Sequence, residues 1–173
     1  TIEQALIKSS NTLPGENKTV YLFPPNPDDM YGINLMGGVS GIAVSKDVII
    51  IRIVPSTFKE DLLEYSIAHE YHHTIYMEGE NVNWQNTLLD EIILEGKADN
   101  FAKSLYPDIT IPWIEPLSNQ KEEEVWEHLK ENLMSKDRTI KGDYFENPNK
   151  GIPRWTNYKI GYQIVNSFLE KNP

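Results

Sequence analysis

The window His69-Glu70-Tyr71-His72-His73 constrains the fold more than any other part of this chain. Two histidines at i and i+4 lie about 40° apart around a helix and one turn apart along it, so both imidazoles reach a common point if residues 69–73 are helical. Glu70 then stands beside them and can reach a water at the open position of a metal ion held there. Zinc lowers the pKa of such a water toward about 7, and a neighbouring carboxylate can take its proton and later deliver it to a leaving amine. The window therefore predicts one Zn2+ per chain, with His69 and His73 as ligands and Glu70 as general base. Three of the four histidines fall inside it.

The flanking residues agree with a helix. Pro55 ends the preceding segment, and Thr57-x-x-Glu60 has the form of a capping box. Leu62, Ser66, His69, His73 and Tyr76 then follow at helical spacing and form one stripe. His72 points about 100° away from His73 and is expected to be a surface or supporting residue. His128 has no partner motif and is expected to be structural or solvated.

A site of this kind needs a third protein ligand. Glu95 lies 22 residues beyond His73, on a stripe with Leu88, Ile92, Asp99 and Ala102 in a second helix expected at Thr87–Ser104. A carboxylate among such neighbours is costly to bury unless a cation compensates it. Gly96 and Ala98 would let the two helices approach closely. Asp99, one turn on, is placed to accept the free ring N–H of a ligand histidine. Glu91 shares nearly the same face and competes on geometry. Asp99 at +4 and Gly96 at +1 favour Glu95.

Around these helices the chain reads as one α+β domain spanning residues 1–173. Residues 2–10 have helical spacing, Thr19–Phe23 is a β-branched and aromatic strand, and Asn26–Gly38 reads as an irregular loop. Val39–Val44 and Val48–Val54 read as a hairpin through Ser45-Lys46-Asp47, the second strand being the more central. A loop is expected around Gly79–Trp84, and a third helix near 119–135 with Val125, Trp126, Leu129 and Leu133 inward. A loop at Asn147–Pro153 precedes a final helix, Trp155–Leu169, burying Ile160, Ile164, Val165 and Phe168.

Composition narrows the function. A net charge of −10 argues against a nucleic-acid partner. The absence of cysteine excludes disulfides, thiolate ligands and cysteine nucleophiles. No apolar run is long enough for a transmembrane segment. The chain opens at Thr1 rather than methionine, which leaves room for a removed signal, anchor or upstream domain and leaves the compartment open.

The pairing of His69-Glu70-Tyr71-His72-His73 with Glu95-Gly96-Lys97-Ala98-Asp99 resembles the gluzincin metallopeptidases. With a late Tyr158-x-x-Gly161-Tyr162 added, it is most similar to the YjaZ-like zinc-dependent proteases. The resemblance implies a zincin-like arrangement: a small, mostly antiparallel sheet packed on the active-site helix, followed by a helical C-terminal half. It also implies a peptide or protein substrate received by β-pairing on an edge strand, here through Gly41, Ile42 and Ala43, with Gly37, Gly38 and Gly41 leaving the backbone accessible. Absence of a G-x-M-E-N motif leans the reading toward an endopeptidase.

The oxyanion of a tetrahedral intermediate needs a hydrogen-bond donor opposite Glu70. Tyr158, near the start of the final helix, is preferred to Tyr162, which lies deeper among Ile160, Ile164 and Val165. Two rivals stand beside the peptidase. One is a zinc amidohydrolase acting on a small or cell-wall substrate. The other is a non-catalytic metal-binding interaction domain, against which the intact Glu70 argues.

Overall fold

The computed structural model describes residues 1–79, 86–145 and 151–172. The loops expected at 79–84 and 147–153 therefore lie largely outside the described residues. The architecture is α+β, with seven α-helices and one three-stranded sheet among the described residues. Its internal contacts divide the chain into two compact units, Thr1–Val82 with Phe101–Pro112, and Asn83–Asn100 with Trp113–Pro173. No described helix is long and apolar enough to cross a membrane.

The first unit opens with α1 (Ile2–Thr12), whose start is fixed by a capping box between Thr1 and Gln4. Strands β1 (Thr19–Phe23), β2 (Val39–Ser45) and β3 (Val48–Ile53) form a sheet in the order β1-β3-β2. The β-branched run of β3 takes the centre, with Ile49 and Ile51 fully buried. Burying each such side chain is worth roughly 1.5–3 kcal/mol. β2 pairs antiparallel with β3, with an irregularity between Ala43 and Ser45, whereas β1 pairs with β3 in parallel.

A parallel neighbour requires a crossover, and the segment expected to be an irregular loop supplies part of it. Asn26 caps a 3-10 turn at Pro27–Asp29, and α2 (Met30–Leu35) follows directly. Gly37 and Gly38, at φ 74° and 80°, then turn the chain into β2, so they shape a turn instead of baring an edge.

Helix α3 (Glu60–Gly79) packs against this sheet. Leu63, Ile67 and Tyr71 meet Val39, Ile49 and Ile51 in one core. The expected capping box does not form. The Thr57 hydroxyl instead donates to Asn34 Oδ1 at 3.1 Å, and Leu63 N–H reaches the Lys59 carbonyl at 3.0 Å, so the helix begins two residues later, at Glu60. Near the far end of α3, Glu78 pairs with Lys18, whose side chain is only 2% exposed.

The second unit contains Leu88–Asn100 of α4 (Leu88–Leu105), with α5 (Asn119–Asn132), α6 (Arg138–Phe145) and α7 (Thr156–Lys171). Thr87 caps α4: the Asp90 amide donates to its Oγ1 at 3.2 Å, while the Thr87 amide donates to Asp90 Oδ2 at 2.9 Å. Leu88, Ile92, Leu129, Tyr144 and Ile160 form the core. Helix α6 was not anticipated from periodicity. Trp126, expected inward, is 42% exposed, and Ile164 and Phe168 on α7 are 38% and 63% exposed. The i, i+4 row of α7 thus leaves the core after Ile160.

Candidate metal centre

The helical turn that carries the paired histidines is buried. His69, Glu70 and His73 are 5%, 7% and 8% exposed. The two imidazoles meet edge to face, and their Nε2 atoms stand 3.0 Å apart. Two ligands about 2.0–2.1 Å from one zinc at a tetrahedral angle would be about 3.3 Å apart, so the pair fits a shared ion with little adjustment. Packing holds the helix in place: Tyr71, on the sheet side, is 1% exposed and donates its hydroxyl to the Leu13 carbonyl at 2.9 Å. His72 turns away as expected, its ring 5.6 Å from that of Phe101. His128 is exposed on α5.

Glu70 reaches toward the sheet. Its Oε2 accepts the backbone N–H of Ala43 at 2.7 Å. Ala43 therefore directs its N–H away from β3, and β2 is an edge strand of the described sheet. By the alternation of an antiparallel ladder, Ile42 turns its backbone groups toward β3, while its side chain is 48% exposed on the outer face. Nothing in the sequence signals the Ala43–Glu70 bond, because a backbone donor leaves no mark in residue type.

In the second unit, Glu95 is half-buried on α4 and Asp99, one turn on, is fully buried. Asp99 Oδ1 accepts the indole N–H of Trp113 at 3.1 Å, a partner that spacing alone does not reveal. The competing Glu91 is ion-paired with Lys141. Gly96 serves a close approach, but to α7. A Cβ there would lie 2.2 Å from the Gly161 carbonyl oxygen, and a Cβ on Gly161 would lie 2.1 Å from that of Ile92. Asn100 Nδ2 binds across the same crossing to the Tyr162 carbonyl at 3.1 Å.

Both candidate tyrosines are half-buried on α7. The Tyr158 ring lies 5.3 Å from that of Phe145, three residues into the helix. Burial, then the charges of Asp99 and Glu170, push the Tyr162 phenol up from its ordinary range. Tyr162 therefore stays a hydrogen-bond donor at neutral pH.

An α+β protein that buries two convergent imidazoles on one helix, with a carboxylate between them, is equipped to hold a metal ion. Over residues 1–173 the chain matches the family described as "Predicted Zn-dependent protease (DUF2268)", and it belongs to that family. Among curated proteins it is similar to "Uncharacterized protein YjfC" of Bacillus subtilis (strain 168), 23% identical over 164 residues. That match covers 88% of this chain and 53% of the relative, so the chain spans about half the length of the curated relative it matches. No solved structure matches the chain.

Proposed function

We propose that the chain is a zinc-dependent peptidase, acting as an endopeptidase, in which His69, His73 and Glu95 hold one zinc ion. The observation that carries the reading is the buried convergence of the two Nε2 atoms with Glu70 on the same turn. Membership in a family described as a zinc-dependent protease supports it. Two imidazole nitrogens and a carboxylate oxygen are the donor set of a catalytic zinc site that keeps an open position. The pairing of Glu91 with Lys141 favours Glu95 for the third place. The gluzincin and YjaZ-like resemblance belongs to this same reading.

When bound, zinc supplies Lewis acidity toward the scissile carbonyl and acidifies water. The chain's own residues do the rest. Glu70 accepts the proton from the attacking water and returns it to the leaving amine. Asp99 fixes the orientation of a ligand histidine through its ring N–H. Tyr158 donates a hydrogen bond to the oxyanion. The peptide pairs along β2 at Gly41, Ile42 and Ala43, where the outward backbone groups of Gly41 carry the pairing and Ile42 offers a side-chain contact. Metal analysis of single variants tests the ligand set. His69→Ala, His73→Ala and Glu95→Ala should each sharply reduce bound zinc. Full occupancy in Glu95→Ala would move the third ligand to Glu91.

A further inference from the structure

We propose that Gly41 and the Ala43 amide form a seat that positions Glu70, making Gly41 a positioning residue for the reaction. The inference rests on the reading of Glu70 as general base. Along β2, the side-chain positions facing α3 are Val39, Gly41 and Ala43, and the last two are the smallest residue types available. Their smallness brings the edge strand close enough to α3 for a carboxylate of that helix to reach a strand amide. Glu70 uses this space. Its Oε2 lies 2.7 Å from Ala43 N, and its side chain runs beneath Gly41. A Cβ built on Gly41 would sit 2.5 Å from Glu70 Cγ and 2.9 Å from its Oε1. Both are too close for any real contact, so one methyl group on residue 41 must push the Glu70 side chain off this position.

The seat has a chemical purpose. A glutamate carries a long, rotamer-rich side chain, and a general base must stand within hydrogen-bond reach of the proton it takes. A charge-assisted bond from a backbone N–H fixes one carboxylate oxygen and so limits the rotamers open to the side chain. Because the donor belongs to the edge strand that the peptide joins, strand and base are held in a fixed relation. The Ala43 N–H is thereby reserved for Glu70, so a peptide paired at Gly41, Ile42 and Ala43 uses the other outward backbone groups of β2.

Two measurements on the zinc-loaded protein test this. In amide hydrogen exchange followed by NMR, the Ala43 amide should be protected in the parent and should lose about tenfold or more of that protection in Glu70→Ala, since no strand among the described residues pairs with β2 on that side. Equal protection in both proteins would overturn the seat, whatever the protein hydrolyses. In turnover, Gly41→Ala should keep its zinc while kcat falls on the order of 10²-fold, the cost of misplacing a catalytic group by about 1 Å. In a Glu70→Gln background the same substitution should change the residual rate by less than about twofold, because the misplaced base is already gone. A full loss in that background would show that Gly41→Ala acts through the fold, which overturns the proposal. A parent that cleaves no peptide would count against the peptidase reading, while the exchange measurement would still decide the seat.

Discussion

The indole N–H of Trp113 donates to Oδ1 of Asp99 at 3.1 Å, anchoring a fully buried carboxylate one turn beyond Glu95. A buried carboxylate held in this way presents its remaining acceptor capacity in a fixed direction. Asp99→Ala should weaken zinc by about 10- to 100-fold without abolishing binding, the range for a partner that orients a ligand. A metal-competition titration checks it. Unchanged affinity would make the aspartate a purely structural partner of Trp113.

Backbone meets backbone where α4 crosses α7. With 2.1 Å between a built Cβ on Gly161 and the Ile92 carbonyl oxygen, no side-chain rearrangement can make room there. Gly161→Ala should therefore destabilise the protein by about 1–3 kcal/mol, the usual cost of overpacking, or more if the helices separate. Denaturant unfolding measures this. A loss below about 0.5 kcal/mol, the level of an ordinary surface substitution, would mean that the crossing adjusts freely.

The pairing of Lys18 with Glu78 makes stability depend on acid. Burial alone would raise the Glu78 pKa, but hydrogen bonds from Lys18 and the Glu16 amide and the charges of Lys18 and Lys46 outweigh it and hold it below its ordinary 4.5. A group whose folded pKa is depressed contributes stability that is present above its unfolded pKa and lost as pH falls through the folded one. Glu78→Gln should cost about 3 kcal/mol at neutral pH, since it leaves the Lys18 charge unpaired in a largely buried place. The gap between parent and variant should close in thermal melts below pH 4.5. A constant gap across that range would assign the loss to packing.

How much of this was legible depends on whether a feature is written in residue spacing. The i, i+4 histidines meet readily on a helix, and with the stripe from Leu62 to Tyr76 they made α3 legible in the sequence. The unbroken β-branched run of β3 likewise announced a central strand. Features set by backbone or by tertiary contact were hidden: the Ala43 donor, the Trp113 bond, and Gly96 serving α7. Helix α6 offered only the pair Ile140 and Tyr144 as an apolar row. Its real signal was Asp137, whose Oδ1 accepts the Thr139 and Ile140 amides at 2.7 and 3.3 Å. Phe168 shows the converse error, because periodicity identifies a row without saying where its cover ends.

For the oxyanion donor, Tyr158→Phe should retain zinc and thermal stability while kcat falls roughly 10²- to 10³-fold, the effect of losing one such hydrogen bond. Tyr162, whose phenol burial and Asp99 keep protonated, is the comparison. A fall in Tyr162→Phe with none in Tyr158→Phe would reverse the assignment. A fall in neither would place the donor elsewhere.

Zinc content and cleavage of an unstructured protein, measured side by side in the parent and in Glu70→Gln, bear most directly on the paired-histidine helix as a hydrolytic centre. Both proteins should carry about one zinc per chain, since a site of three protein ligands remains intact in each. The parent should cleave, lose activity to a chelator and regain it with zinc. Glu70→Gln should lose nearly all hydrolysis, because an amide cannot accept the proton. A variant that turns over substrate near the parent rate, or a parent that binds no zinc, would contradict the account.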